Sequence, residues 1–334
     1  MIRKILLGVL VLAAAALLTT RGIASPTPNP PGTFSFAVLG DAPYYALHGE
    51  GLRFRLVLQE IGAHDLAFVI HVGVIFWQPC SDAQYRETLD QFNALRHPVT
   101  YTPGDNEWTD CWEEVTGSYD PLERLARLRQ IFFANPAQSL GQRRIAVVTQ
   151  GRGEPFAEFV ENVRWTHDGV LFTTVHLPGS ANAREPFPGR TATHNEAATR
   201  RTNAAVAWLR EAFADARTSA ATAVVVAFHA SPDLELPPDG SDSEYRRHFE
   251  PFITALEEEV EQFGKPVVVA HGDGHTFTVD RPLVRRTTGR VLDNMTRLQV
   301  PGSPDVGWVR VVVKPGPDTT FAFENRVVPF WKVW

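Results

Sequence analysis

The chain of 334 residues is 44% hydrophobic and 21% charged, so it can bury a large core. Its net charge of −6 and isoelectric point of about 6.0 give no support for a general nucleic-acid-binding surface, which would need a basic patch. The sequence has no internal repeat and no long run of like charges. Length alone would permit two domains, but the motifs described below favour one.

The N-terminus has the layout of a secretory signal peptide. Arg3 and Lys4 precede an apolar stretch at 5–18, and small residues follow it. We therefore predict a signal peptide at 1–25 and a secreted or periplasmic protein with no stable membrane span after cleavage. The alternative is a retained anchor, but this stretch is shorter than the roughly 20 residues of a spanning helix. The Pro-rich residues 26–33 are predicted to be a flexible leader.

Apolar runs and amphipathic stretches alternate along residues 34–334, which are predicted to form one domain. Strands are predicted at 34–40, 66–72, 98–103, 144–149, 158–165, 169–177, 222–228, 266–270, 277–280, 295–300, 308–313 and 320–327. Helices are predicted at 52–61, 82–95, 121–133, 196–214 and 245–263. The last strands have no helices between them, which favours a second, more antiparallel sheet. The predicted fold class is α/β, a four-layer α/β/β/α sandwich of two mixed β-sheets flanked by helices.

The two cysteines lie on loops at the same end of the predicted sheet. Cys80 follows the turn after the second strand, and Cys111 follows the turn after the third. Because an exported protein meets an oxidising compartment, we predict a disulfide between them. The alternative is two unpaired thiols, since the sequence does not give the Cα separation that a disulfide requires.

Acidic and histidine side chains follow four of the predicted strands. Asp41 follows the first strand, 104–107 (GDNE) the third, His229 the seventh and 271–275 (HGDGH) the eighth. The carboxyl ends of strands in an α/β fold meet at one crevice, and carboxylates and imidazoles there are typical metal ligands. The second strand ends instead in Val74, where the pattern requires an acid.

In order and spacing, these strand ends resemble the five motifs of the calcineurin-like metallophosphoesterases, a family that includes the purple acid phosphatases. The resemblance extends over 34–327, and the loops at 77–85 and 108–111 look like those of a secreted bacterial branch. It implies a two-sheet fold with a metal centre that hydrolyses phosphate esters. The residues that match family ligands by type are Asp41, His229 and His275.

The other motif positions depart from the family pattern. Pro43 replaces a histidine ligand, and Val74 replaces the aspartate that bridges two metals. Asp105 and Asn106 stand where the family has Asn and His, and Asp273 stands where it has the first His of its last motif. Asp105 and Asp273 can still bind a metal, whereas Val74 cannot.

The resemblance implies a cofactor of one or two divalent or trivalent metal ions per chain, Mn, Fe or Zn. One half-site would consist of Asp41 and His275. The richer half-site would consist of Asp105, His229, and Asp273 or His271. Without the bridging aspartate, the richer half-site could hold a single ion.

The predicted catalytic positions are His229, Asn106 and Glu107. Asn106 lies where the family has a histidine that assists protonation of the leaving group, and an amide has no titratable proton for that task. Glu107 is predicted to support the site as a neighbouring acid. Each candidate also has a structural interpretation, because aspartates close turns and histidines are often buried in a core.

Two function classes follow from these residues. The first is an exported metal-dependent phosphoesterase acting on a small phosphorylated substrate, impaired or mononuclear because Val74 replaces the bridging aspartate. The second is a phosphoesterase-fold protein that has lost catalysis and serves as a binding or scaffold protein. The sequence leaves the substrate, the metal and the oligomeric state open.

Overall fold

The structure, a computed structural model, describes residues 28–44, 49–235 and 243–333. The predicted signal peptide at 1–25 and the first two residues of the leader lie outside the described residues. Within the described ranges, no helix is both long and apolar enough to cross a membrane.

The strands of these residues are β1 (Phe34–Leu39), β2 (Val69–His71), β3 (Val99–Tyr101), β4 (Val148–Thr149), β5 (Val163–His167), β6 (Val170–Thr174), β7 (Ala223–Ala227), β8 (Val267–His271), β9 (Thr278–Asp280), β10 (Val284–Arg285), β11 (Arg290–Val291), β12 (Met295–Gln299), β13 (Gly307–Lys314) and β14 (Thr320–Val327). The α-helices are α1 (Glu50–Ala63), α2 (Asp82–Ala94), α3 (Pro121–Phe132), α4 (Ala192–Thr218), α5 (Glu244–Arg247) and α6 (Glu250–Phe263). Short 3₁₀ turns lie at Glu114–Thr116, Gln150–Arg152 and Phe330–Val333.

Sequence signals determine where two of the helices begin. Ser81 Oγ accepts a hydrogen bond from the backbone N–H of Gln84 at 3.2 Å, so Ser81 is the N-cap of α2. Asp120 accepts from two backbone N–H groups at the start of α3, and Pro121 occupies an early helical position. These caps satisfy donors that have no partner inside the helix.

Most of the described strands form two large mixed sheets, as predicted, while β10 and β11 pair with each other. One has five strands in the order β14-β13-β1-β2-β3, and the other has seven in the order β4-β5-β6-β7-β8-β12-β9. The strands β1, β2 and β3 are parallel, and so are β6, β7, β8 and β12. The carboxyl ends of each parallel set therefore lie at one edge of its sheet.

The prediction that the late strands belong to a second, more antiparallel sheet is wrong for β13 and β14, which join the first sheet. β13 pairs antiparallel with β1 and β14 with β13, so this hairpin extends the first sheet. β12 pairs parallel with β8 and antiparallel with β9, so these strands extend the second sheet. The physical reason is that each parallel set has an edge with unpaired backbone groups, which a later strand pairs.

Three apolar layers separate the sheets and helices. Phe36 and Val38 of β1 pack with residues such as Phe172 between the two sheets. Ala37 and Leu39 of β1 point the other way, into a layer that contains residues of α1, α2 and α3. A third layer lies between the second sheet and helices α4 and α6. This arrangement is the predicted four-layer sandwich, and burial on both faces explains why the central strands are apolar throughout.

The predicted disulfide is confirmed. Cys80 and Cys111 are bonded, with a Cα–Cα distance of 5.7 Å. Both sulfur atoms lie near the carbonyl oxygen of Asn106, at 3.5 and 3.6 Å. The disulfide therefore braces the loop that follows β3.

Candidate metal centre

Asp41, at the end of β1, is fully buried and has a left-handed backbone conformation, with a φ of 53°. Its carboxylate accepts the backbone N–H of Asp273 at 3.1 Å to Oδ1 and 3.0 Å to Oδ2. Burial raises the pKa of Asp41 to about 6, although the nearby His229 and His275 oppose this. Asp41 thus connects the end of β1 with the turn after β8.

Asp105 begins the turn after β3 and is buried. Its Oδ1 accepts from the backbone N–H of Asn106 at 2.9 Å and lies 3.0 Å from His229 Nε2, while its Oδ2 lies 3.0 Å from the Ser180 hydroxyl. Burial alone would raise the pKa of Asp105, but His229 and Ser180 outweigh it and hold the pKa below its usual value. Asp105 is therefore ionised.

His229 follows β7 and has no solvent exposure. Its Nδ1 donates to the carbonyl oxygen of Val72 at 3.2 Å, so Nε2 is the nitrogen that faces Asp105. Burial alone would lower the pKa of His229, but Asp105, Asp273 and Asp41 raise it well above its usual value. When the ring is neutral, the Val72 carbonyl selects the tautomer whose Nε2 is free to bind a metal.

Asp273 lies in the turn after β8, where its φ is 66°. Its Oδ2 accepts from the backbone N–H of Ser231 at 2.9 Å and from the Tyr245 hydroxyl at 3.1 Å. The other oxygen, Oδ1, lies 3.8 Å from His229 Nε2. Burial and the nearby Asp105 raise the pKa of Asp273.

Asp105, His229 and Asp273 each offer one ligand atom within 4.8 Å of the others, and we refer to them as the cluster. They come from three different strand ends, as the richer half-site of the sequence analysis does. Two carboxylate oxygens and one imidazole nitrogen form a donor set that suits Mn, Fe or Zn. When His229 is neutral, these two carboxylates would repel with no cation between them, so the cluster fits a metal ion.

The structure does not bring His271 into the cluster. His271 is the last residue of β8 and shares the helix-facing side of that strand with Val269, which packs in the apolar layer there. Its ring stacks on Phe228 with a centroid separation of 5.8 Å. Burial lowers the pKa of His271 to about 4, so the ring is a neutral core side chain. Of the two residues proposed for this ligand position, Asp273 is the one that lies in the cluster.

His275 lies beside Asp41, next to the cluster. Its Nδ1 donates to the carbonyl oxygen of Ser303 at 2.7 Å, and its ring meets the edge of Tyr44 at 5.1 Å. Asp41 and His275, the predicted second half-site, are thus neighbours. Neither Asp41 nor His275 belongs to the cluster.

Asn106 follows Asp105 in the turn after β3 and contacts Asp110 and Tyr44. In the amide orientation that satisfies both ends, Nδ2 donates to Asp105 Oδ1 at 3.2 Å and to Asp110 Oδ2 at 2.8 Å, and Oδ1 accepts from the Tyr44 hydroxyl at 2.9 Å. Glu107 is buried and accepts instead from the Tyr101 hydroxyl and the Gly104 N–H. An amide and a carboxylate bonded in this way support the turn, and neither is placed as a proton donor at the cluster.

Val74, predicted from the resemblance to replace a bridging aspartate, is fully buried. Its φ of 50° lies in the left-handed region. This conformation is a marked outlier for a β-branched residue, whereas Asp and Asn adopt it more readily. Valine therefore stands here in a conformation that it seldom adopts.

Three residues near the cluster were not found from the sequence. The Ser180 hydroxyl lies 3.0 Å from Asp105 Oδ2 and 2.9 Å from Asp110 Oδ1, so it joins these two carboxyl groups. Burial and the proximity of Asp105 raise the pKa of Asp110 to about 7. Tyr245 bonds to Asp273 from α5. These residues lie in loops or on a short helix and do not follow the end of a strand, so the strand-end pattern does not reveal them. Only Asp110 could have been suspected from the sequence, because it is close to the third motif.

The segment Gly179–Ala183 is a left-handed turn. The φ angles from Ser180 to Ala183 are 48°, 53°, 57° and 55°. Such a conformation costs about 1–2 kcal/mol for each residue with a Cβ, and it seldom extends beyond single residues. The turn is held by Arg201 and Arg190, which donate to the carbonyl oxygens of Asn182 at 2.7 Å and Ala183 at 3.0 Å.

Gly179, at the start of this turn, covers one side of the cluster. A Cβ at Gly179 would overlap the carboxylate of Asp105 and lie 2.9 Å from Asp273 Oδ1. Only glycine therefore fits at this close approach. The strained turn brings its backbone against both carboxylates.

Comparison with known proteins finds structures of similar fold but no sequence family that this chain matches. No family model and no curated protein matches the sequence. The solved structure of PhoD is similar, with 12% identity over 90% of this chain and 71% of that chain and a TM-score of 0.54. The protein TT1561 of Thermus thermophilus has 11% identity over 88% of this chain and 99% of that chain, with a TM-score of 0.41. The likeness to PhoD shows a shared fold.

Proposed function

We propose that the protein is an exported, metal-dependent phosphoesterase that hydrolyses a small phosphate monoester or diester at the cluster. One observation carries this proposal. The cluster joins two carboxylates and an imidazole in a metal-binding tautomer at the strand ends of a metallophosphoesterase-like fold. The proposal places this chain among the calcineurin-like phosphoesterases, with altered metal motifs.

The chain's own residues would hold and orient the ion. A bound ion supplies Lewis acidity and lowers the pKa of a coordinated water. Asp105 and Asp273 would bind it through their Oδ1 atoms, and Ser180 and Tyr245 would fix the orientation of these carboxylates by bonding to Oδ2. Burial and the nearby carboxylates raise the pKa of Tyr44, so its hydroxyl stays protonated beside the cluster.

Export is supported by two features. The N-terminal sequence has a basic start and a short apolar stretch, and the domain contains the Cys80–Cys111 disulfide. N-terminal sequencing of the mature protein tests this part of the proposal. A start between Ala24 and Thr33 is expected, and a soluble protein that keeps Met1 in the cytoplasm would contradict export.

A second function has its own support. Val74 replaces the bridging ligand and Asn106 replaces the proton donor of the family, which favours a binding or scaffold protein that has lost catalysis. The two functions differ in one measurable property. Both bind metal, but only the enzyme hydrolyses phosphate esters.

The test measures metal content and hydrolysis together. Purified protein is stripped with a chelator, reloaded with Mn²⁺ or Zn²⁺, and assayed with a chromogenic phosphomonoester and a phosphodiester. Asp105→Asn should abolish both metal retention and turnover. The matched control is Asp168→Asn, because Asp168 is exposed and has a φ of 45° that asparagine also adopts. Metal retention without turnover would favour the binding protein, and absence of metal would reject the proposal.

A further inference from the structure

The carboxylate of Asp41 contacts the backbone of the turn that carries Asp273. Both of its oxygens accept the backbone N–H of Asp273, at 3.1 and 3.0 Å. A Cβ at Gly272 would overlap this carboxylate, so the backbone of the turn lies directly against it. Through these contacts Asp41 holds the backbone of the Asp273 turn in place.

The other predicted member of this half-site is tied down in a similar way. His275 Nδ1 donates to the carbonyl oxygen of Ser303, and the Ser303 N–H donates to the carbonyl oxygen of Asp41 at 2.9 Å. The loop at Ser303 therefore links His275 to Asp41 by backbone contacts.

Val74 removes the ligand that a second ion would share with the first. Its side chain is fully buried and has no ligand atom. A second dication held only by Asp41 and His275 would face the first with no shared anion between them, and such a pair repels strongly at low dielectric. The ligand atoms of Asp105, His229 and Asp273, in contrast, converge within 4.8 Å.

We infer that the centre binds one metal ion, at the cluster, and that Asp41 is a positioning residue that holds the Asp273 turn and is not a ligand. The inference rests on the proposed function and specifies it further. Asp41 acts through its hydrogen bonds to the Asp273 N–H, which fix the backbone from which the Asp273 carboxylate reaches the ion. The result is a mononuclear centre in a fold whose usual motifs provide for two ions.

The stoichiometry of the wild-type protein tests this without any variant. Chelator-stripped protein is titrated with Mn²⁺ or Co²⁺, and bound metal per chain is counted by calorimetry and elemental analysis. One ion is expected. Two tightly held ions would overturn the inference and leave the proposed function intact, whereas no bound ion would reject the proposed function itself.

Three aspartate variants separate a ligand from a positioning residue. Asp105→Asn and Asp273→Asn each remove a ligand oxygen, so Co²⁺ affinity should fall by more than about 100-fold, the upper end for loss of an outer partner. Asp41→Asn should weaken binding by about tenfold, in the range for an outer partner. The visible Co²⁺ spectrum should stay unchanged in Asp41→Asn, because the atoms that contact the ion are the same.

Asp168→Asn serves again as the control and should match the wild type in affinity and spectrum. Circular dichroism melts verify that each variant is folded before its titration. A changed Co²⁺ spectrum in folded Asp41→Asn, or a loss of affinity as large as in Asp105→Asn, would show that Asp41 is a ligand and would overturn the inference.

Discussion

The Tyr101 hydroxyl donates to Glu107 Oε1 at 2.6 Å, and the backbone N–H of Gly104 donates to the same oxygen at 2.7 Å. The other oxygen, Oε2, is buried without a hydrogen-bond partner among the described residues. Burial raises the pKa of Glu107 to about 7, although Tyr101 and His229 oppose it. Near neutral pH, metal-free protein therefore carries a carboxyl group close to the point of ionisation inside its core.

Glu107 should make the metal-free protein less stable as the pH rises. Its folded pKa of about 7 exceeds the unfolded value of 4.5, so the folded state binds one more proton between these values. Its contribution to the free energy of unfolding is thus fully present below pH 4.5 and declines as the pH rises toward 7. The full change is about 3 kcal/mol, from about 1.4 kcal/mol per pKa unit.

Glu107→Gln cannot titrate and should lack this slope. Melting temperatures of wild type and variant are measured with chelator at pH 5, 6, 7 and 8. The variant should gain stability relative to the wild type at each step up in pH until about pH 8. A difference in melting temperature that stays constant over this range would show that Glu107 ionises at its ordinary pKa.

The disulfide should contribute substantially to stability. Cys80 and Cys111 are separated by 31 residues, and the chain-entropy model gives roughly 3–4 kcal/mol for a loop of this length. Urea unfolding of the double variant Cys80→Ala/Cys111→Ala should show a loss of this size. The metal affinity should fall too, because the disulfide contacts the Asn106 carbonyl next to Asp105.

The control is to repeat the unfolding measurement on the wild type and the double variant in the presence of reductant. It should destabilise the wild type and leave the double variant unchanged. An equal melting temperature for wild type and double variant without reductant would contradict the prediction.

The two mixed sheets and the members of the cluster could be predicted because both follow from local pattern. Apolar runs mark the strands, and the carboxyl ends of parallel strands meet, so Asp105, His229 and Asp273 come together. His271 could have been placed correctly from strand periodicity, since it shares a face with Val269 and not with Ala270.

Other features depend on contacts between distant residues and have no local signal. The pairing of β13 with β1 joins residues such as Val313 and Phe34, which lie at opposite ends of the domain sequence. The bonds from the Asp273 N–H to Asp41 span 232 residues. Ser180 reaches Asp105 only because the turn at Gly179–Ala183 is left-handed, and left-handed conformations of serine and alanine are not indicated by sequence.

A single substitution after α4 should stabilise the protein. Ala220 has a φ of 54° and follows the helix in the position that glycine usually occupies, and it is exposed. Ala220→Gly should increase the free energy of unfolding by about 1 kcal/mol, because glycine has no Cβ to strain this conformation. Chemical denaturation measures the gain.

The matched control is Ala214→Gly, at an exposed position inside the same helix. It should lower stability by about 1 kcal/mol, because glycine is a poor helix former. Destabilisation by both substitutions would mean that Ala220 is not held in the left-handed conformation in solution.

Val74→Asp should raise metal occupancy and phosphoesterase turnover more than any other single substitution. It supplies the missing bridging carboxylate beside Asp41 and Asp105, so the number of bound ions should rise from one to two. It also replaces a β-branched residue at a φ of 50° by one that tolerates this conformation. Without metal, the added carboxylate should repel its neighbours and lower the melting temperature.

Val74→Asn separates the two effects of Val74→Asp, the added negative charge and the better fit to the left-handed backbone conformation. Asparagine also tolerates the left-handed conformation but adds no charge, so its melting temperature should not depend on metal more than that of the wild type. Melting curves with and without Mn²⁺, metal counts and hydrolysis of both chromogenic esters are compared for the three proteins. If the wild type hydrolyses either ester as fast as Val74→Asp, then Val74 does not limit catalysis. If Val74→Asp binds two ions and neither protein turns over, the amide at Asn106 becomes the limiting feature, because it leaves the departing group without a proton donor.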